Sequence, residues 1–127
     1  MNRVLFSSAS PHHATPRGLY ADLDREFGFT FDPCPLGDTS GGLICEAWQG
    51  KRVFCNPPYG PEISSWLKRA PEAAIAVYLL PARTDTKWFH DICLPKAKEI
   101  RFIRGRLKFG DAVNPAPFPS MVVIFGG

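Results

Sequence analysis

Lys51-Arg52-Val53-Phe54-Cys55-Asn56-Pro57-Pro58-Tyr59-Gly60 is the stretch on which the reading of this chain turns. Its first half, Lys51 to Cys55, has the short apolar character of a buried strand. Two prolines in succession then fix two φ angles near −65° and remove two backbone donors, so the strand must give way to a stiff, carbonyl-lined turn. From Pro61 to Ala70 the residues Ile63, Trp66, Leu67 and Ala70 fall on one face, the spacing of an amphipathic helix. A strand, a rigid turn and a helix in that order form half of a βαβ unit, and Ile75–Leu80, a continuous apolar run suited to a strand covered on both faces, supplies the other half.

The rest of the chain extends the same pattern. Thr15-Pro16 reads as an N-cap and first helical residue, followed by Leu19, Tyr20, Leu23 and Phe27 at helical spacing, with a helix to about Glu26 and a stop at Gly28. Phe29-Thr30-Phe31-Asp32 reads as a short strand, and Pro33 to Gly37 as the turn behind it. Residues 38–50 form a loop. Thr84 or Asp85 is expected to cap a helix containing Trp88, Phe89, Ile92 and Cys93, broken at or before Pro95. Glu99–Arg104 and Arg106–Phe109 read as strand pieces and Met121–Phe125 as the last strand. These elements predict an α/β protein: a reduced Rossmann-like fold with a mainly parallel sheet and helices on both faces. Ligands in such folds sit beyond the carboxyl ends of the strands, where Asp32 and the Asn56 turn both fall.

Composition bounds the rest. With 127 residues and 45% hydrophobic content there is material for one compact domain, expected over 15–127 with a flexible arm at 1–14. The longest apolar stretch, Ala73–Leu80, is far short of a membrane span, and the N-terminus lacks the pattern of a secretory leader, so a cytoplasmic protein is expected. The four cysteines form no CxxC pair and the three histidines show no metal-ligand spacing, so neither a zinc module nor another metal site is expected. A net charge of +3 favours a polyanionic partner without demanding one.

The chemistry suggested by Asn56-Pro57-Pro58-Tyr59 follows from the problem it would solve. An aromatic exocyclic amine is a poor nucleophile because its lone pair is delocalised into the ring. The carboxamide oxygen of Asn56 and the main-chain carbonyl of Pro57 can accept the two amine hydrogens, concentrating density on nitrogen and aiming its lone pair at a methyl donor. Tyr59 can stack on an extruded base, an interaction worth about 1–3 kcal/mol. No covalent intermediate and no metal is called for. Taken alone the turn indicates methylation of an amine and leaves the amine open.

In Thr15-Pro16, Glu26-Phe27-Gly28-Phe29, Asp32-Pro33-Cys34, Phe54 to Gly60, Leu80-Pro81-Ala82-Arg83-Thr84-Asp85-Thr86, Trp88-Phe89-His90 and Arg104-Gly105-Arg106, the chain resembles the phage-type DNA N-6-adenine methyltransferases. These belong to the wider class of S-adenosylmethionine-dependent amino methyltransferases. The resemblance implies catalytic roles for Asn56, Pro57, Pro58 and Tyr59. It also implies cofactor contacts at Thr15, Pro16, Asp32, Pro33, Cys34 and Gly37, with S-adenosylmethionine as cofactor and an adenine in double-stranded DNA as target. Only the short interval 33–55 separates Asp32 from Asn56, where the wider class places further strand-helix units; Asp38 and Glu46 are the candidates for the acid that binds the cofactor ribose. With no separate recognition domain expected, sequence preference would come from short loops, the N-terminal arm or a second subunit, which makes a homo-oligomer an open expectation.

Arg83, Arg101, Arg104, Arg106 and Lys108 are gathered in the second half, and Arg83, Arg104 and Arg106 are the expected phosphate contacts. Trp66, Trp88 and Phe89 read as core. Trp48 is a weaker candidate for touching cofactor or base, and Phe109 is a candidate to flank the base opposite Tyr59. Pro33-Cys34 also invites a thiolate mechanism at cytosine carbon, which the Asn56 turn does not fit. The alternatives carried forward are a binding module of the same fold without turnover, and amino methylation of RNA, of glutamine side chains or of cytosine N-4.

Overall fold

The computed structural model describes residues 14–34, 43, 46–110 and 112–126. The first element is helix α1, Arg17–Phe27, which ends at Gly28 in the left-handed conformation (φ 62°) with its backbone N–H on the Asp24 carbonyl. The stop at Gly28 is as expected, because a residue with a Cβ would be strained there. The start is not. Pro16 occupies the N-cap position, and among the described residues no side chain caps the helix. Thr15, expected as the cap, has its hydroxyl engaged elsewhere, so α1 forgoes an interaction typically worth about 1 kcal/mol.

A four-stranded sheet forms the centre: β1 Arg52–Cys55, β2 Ile75–Pro81, β3 Glu99–Phe102 and β4 Ser120–Gly126, in spatial order β1-β2-β4-β3. Strand β1 pairs with β2 in parallel, Phe54 opposite Val77 and Cys55 opposite Tyr78. Strand β4 runs antiparallel to both β2 and β3. The expectation of a mainly parallel sheet is therefore corrected: the sheet is mixed, with one parallel and two antiparallel pairings. The reason lies between β3 and β4. The described residues of 103–119 contain no helix, so nothing carries the chain back across the sheet for a parallel return. The strand expected at Arg106–Phe109 is part of this connection, and β3 ends at Phe102 instead of Arg104. The strand expected at Phe29–Asp32 reduces to a single parallel bridge, Phe31 to Val53, on the outer side of β1.

Side chains opposite one another in this register share a face of the sheet. Phe54, Val77 and Ile124 face α1, whose Tyr20 ring meets Phe54 edge-on at 5.1 Å. Tyr78 and Val123 face the other way. There Trp48, from the short turn Glu46–Trp48, and Trp66, from helix α2 (Ile63–Leu67), close over Tyr78, whose hydroxyl donates to the Trp66 carbonyl at 2.7 Å. Helical segments thus cover both faces, and β2, apolar throughout, is buried along its whole length. Each large aliphatic side chain withdrawn from water this way contributes about 1.5–3 kcal/mol before the entropy of ordering it. Trp66 and Phe89 lie in this core as expected, and Trp48 joins them fully buried.

The helical stretch after β2 departs from the sequence reading in two ways. Its cap is Thr86, whose Oγ1 accepts from the Phe89 N–H at 3.3 Å, and not Thr84 or Asp85. It also runs through Pro95. A π turn at Phe89–Cys93 leads into α3, Leu94–Lys96, with the Leu94 N–H reaching back five residues to Phe89. Widening the helix by one residue just before the proline relieves the clash between its ring and the preceding turn that would otherwise end the helix.

At the far end of β4, Gly126 has φ 79°, and a Cβ there would lie 2.8 Å from the Ala74 backbone oxygen. Neither constraint can be relieved by moving a side chain. Gly126→Ala should cost more than about 1 kcal/mol, read as a lower urea midpoint with an unchanged m-value; an unchanged midpoint would contradict this packing.

Candidate functional site

The parallel pair β1-β2 ends with both carboxyl termini on the same edge of the sheet, and the expected site residues collect there. Asn56, Pro57, Pro58 and Tyr59 follow Cys55 directly and are all buried, Asn56 to 3% exposure and Tyr59 to 6%. Phe31 pairs with Val53 on the other side of β1, which places Asp32, Pro33 and Cys34 beside the same strand end. The topology thus brings together two segments 24 positions apart, Asp32 and Asn56.

The turn is anchored at both ends. Asn56 donates its side-chain Nδ2–H to Thr15 Oγ1 at 3.0 Å, joining the turn to the entrance of α1. Tyr59 donates its hydroxyl to the Leu79 carbonyl at 3.1 Å, one residue past the last β1-β2 pair. Burial pushes the Tyr59 phenol far above its usual range, with the nearby Arg83 guanidinium opposing the shift, so it remains a neutral donor. A shallow pocket opens beside the turn between Pro58, Tyr59, Gly60, Pro61 and Glu62.

The connection 103–119 packs onto Tyr59. Phe109 and Phe118 meet its ring edge-on, at 6.2 Å and 5.7 Å between centroids. Arg83, leaving the end of β2, holds its guanidinium over the Phe118 ring at 5.6 Å. The same connection reaches the segment before α1, where the Gly110 N–H donates to the Ala14 carbonyl at 3.0 Å. Phe109 is a candidate from its position in the sequence alone. Phe118 escapes the sequence reading, although a single aromatic among Pro115, Pro117 and Pro119 just before the last strand is a signal that could have found it.

Asp32 forms a tight local turn: its Oδ1 accepts from the Cys34 N–H at 2.9 Å. Burial raises its carboxyl pKa, partly offset by that hydrogen bond. The Cys55 thiol next door is raised too, chiefly by its own burial and further by the charges of Cys34 and Asp32. A desolvated acid beside a carbonyl-lined turn is a donor set suited to a cationic ligand, and a sulfonium is such a cation. Gly37 and Asp38 lie outside the described residues, as do 1–13 of the expected arm. Glu46 begins the short turn that carries Trp48.

The basic residues divide. Arg83 belongs to the site edge. Arg104 and Arg106 are exposed on the 103–119 connection, with Arg106 Nη1 near the Ala116 carbonyl at 3.5 Å. Arg101 is engaged within the protein. It pairs with both carboxylate oxygens of Glu26 at 2.7 and 2.6 Å and with Glu99 at 2.8 and 3.1 Å, tying β3 to α1. Trp48 is fully buried with Arg69 stacked 5.0 Å from its ring, a core position and not a ligand platform.

Among known protein families, a family model described as DNA N-6-adenine-methyltransferase (Dam) matches residues 6–125. No curated protein and no solved structure matches.

The raised pKa of Asp32 fixes a pH dependence. Because its folded carboxyl holds a proton more tightly than the unfolded one, its favourable contribution is fully present at acid pH and is lost as pH rises through the folded pKa. Above that, the half-buried charge is a standing cost. Asp32→Asn, which keeps the acceptor for Cys34, should melt higher than the unsubstituted protein at pH 7, and the gap should close as the carboxyl protonates. Equal melting temperatures at pH 7 would refute the assignment of Asp32 as a partly desolvated acid.

Proposed function

The chain belongs to the DNA N-6-adenine-methyltransferase family, and from that premise we propose that it transfers the methyl group of S-adenosylmethionine directly to N6 of an adenine turned out of the DNA duplex. Methylation of adenine in DNA, with DNA as substrate, is what the family implies; the cofactor, the extruded base and the residue roles are our reading. The observation that supports it most is the preformed turn at Asn56. The turn is rigid, buried and carbonyl-rich, and it is secured by Thr15 at one end and by the Leu79 carbonyl at the other.

When bound, S-adenosylmethionine supplies an electrophilic methyl group on a sulfonium. The protein's part is to hold the amine. Asn56 Oδ1 and the Pro57 carbonyl accept the two N6 hydrogens, and Pro58 keeps the turn from relaxing. The amine held this way would be the nucleophile toward that methyl group, and the proton displaced from it would leave to solvent. Much of the acceleration comes from holding the reacting atoms in line. Thr15, Pro16, Asp32, Pro33, Cys34 and Gly37 are assigned to the cofactor side, with the Asp32 carboxylate complementing the positive sulfonium.

Tyr59 is the stacking platform in this reading. Its ring is met by Phe109 and Phe118, so a base entering beside it takes the place of at least one of these ring contacts. Arg83, Arg104 and Arg106 steady the DNA backbone on the same side. The architecture is read as a reduced Rossmann-like methyltransferase fold with its ligands at the carboxyl ends of β1 and β2. Residues 15–127 form the catalytic domain and 1–14 an arm. A cytoplasmic location and self-association belong to the same reading. Among the described residues no helix is long and apolar enough to cross a membrane.

The test is transfer of a labelled methyl group from S-adenosylmethionine to unmethylated DNA, followed by nucleoside analysis. Label in N-6-methyladenosine is expected. Label confined to N-4-methylcytosine, RNA or protein overturns the proposal, and DNA binding without turnover points to a binding module. Asn56→Ala should lower kcat by at least about 100-fold, the scale of losing a preorganised polar contact, while cofactor affinity stays within a few fold.

A further inference from the structure

Thr15 stands where a helix cap is expected and does not act as one. Helix α1 begins at Arg17 with Pro16 in the cap position, and among the described residues no side-chain cap hydrogen bond closes its start. The hydroxyl turns instead to Asn56, 41 positions away, and accepts its Nδ2–H at 3.0 Å. A local rule broken in favour of a distant contact is a sign that the contact matters more than the helix end.

We propose that Thr15 is a positioning residue for the reaction, holding the Asn56 carboxamide by its nitrogen so that its oxygen is the end offered to the target amine. This rests on the catalytic reading of Asn56. A carboxamide has one donor end and one acceptor end, and only the acceptor end can take a hydrogen from an amine. Rotation of the group by half a turn presents a donor to a donor and removes the activation of the nucleophile. A partner on the nitrogen opposes that rotation.

The placement of Thr15 is itself controlled from two sides. Pro16 restricts the backbone conformation of the residue before it, and Ala14 is held by the Gly110 N–H at 3.0 Å. A Cβ on Gly110 would approach the Ala14 Cβ to 3.3 Å, so the two segments lie close. The connection 103–119, which packs on Tyr59, therefore also braces the residue that holds Asn56. The two ends of the catalytic turn are supported by one segment of chain.

The experiment compares Thr15→Val, which keeps the shape and removes the hydroxyl, with Thr15→Ser, which keeps the hydroxyl. Steady-state turnover on duplex DNA with saturating S-adenosylmethionine, cofactor affinity by calorimetry and melting temperature are measured for each. The expected result for Thr15→Val is about a 30-fold fall in kcat, the order set by one buried orienting hydrogen bond. The KM for DNA should stay within about threefold, any fall in cofactor affinity should be too small to account for the loss of rate at saturating cofactor, and Thr15→Ser should recover most of the rate. A Thr15→Val enzyme with unchanged kcat at saturation but a raised cofactor Kd overturns the proposal and makes Thr15 a cofactor contact alone. So does failure of Thr15→Ser to recover the rate. If Thr15→Val does not fold, Thr15→Ala carries the same comparison. Failure of the catalytic reading looks different, because the unsubstituted protein would then not label adenine at all.

Discussion

The parallel pairing of β1 with β2 stops at Cys55 opposite Tyr78, and the next carbonyl of β2, at Leu79, is taken by the Tyr59 hydroxyl. That one contact decides how the chain leaves the sheet. Without it, a carbonyl at the buried end of β2 would lack its donor, at a cost of about 1–3 kcal/mol. With it, the four residues from Asn56 to Tyr59 are stretched between a strand end and a fixed hydroxyl, and the two prolines leave little freedom between those points. The turn is rigid because its length, its φ angles and its ends are all set.

The remaining structure supplies the walls. The aromatic layer of Trp48, Trp66 and Tyr78 fixes one face of the sheet and so the height of α2, which follows the turn. On the other face, α1 brings Tyr20 against Phe54 and delivers Thr15 to Asn56 at its entrance. Arg101 clamps the far strand β3 onto α1 through Glu26, with its guanidinium 5.5 Å from the Phe27 ring. A basic residue grouped in sequence with the expected phosphate contacts thus holds the helix that Thr15 precedes. Such exposed pairs add little stability individually, but a bidentate arginine fixes orientation.

Strand β4 is the element that most changes the picture. Inserted antiparallel between β2 and β3, it brings its first residue Ser120 and the preceding Phe118 and Pro119 to the carboxyl end of β2, with the Ala82 N–H donating to the Pro119 carbonyl at 2.9 Å. A parallel return would have put that connection at the opposite edge of the sheet. The antiparallel one places Phe109, Phe118 and the exposed Arg104 and Arg106 on the edge that carries Asn56 and Asp32.

Sequence by itself determined the local pieces: the strand before Asn56, the proline-stiffened turn, the fully apolar β2, the αL stop at Gly28 and the last strand. Each follows from short-range covalent geometry or from a hydrophobic period that needs no knowledge of neighbours. The rigidity of the Asn56 turn was legible for the same reason, since it depends on residue types within four positions. The choices among partners far apart in the chain are settled by packing. Thr15 could cap α1 or bind Asn56, Arg101 could meet phosphate or Glu26, and Trp48 could line a site or fill the core. Pro95 could end a helix or be accommodated by a π turn, and β4 could run either way beside β2. Local propensity weighs about 1 kcal/mol in such choices, and packing across the sheet outweighs it.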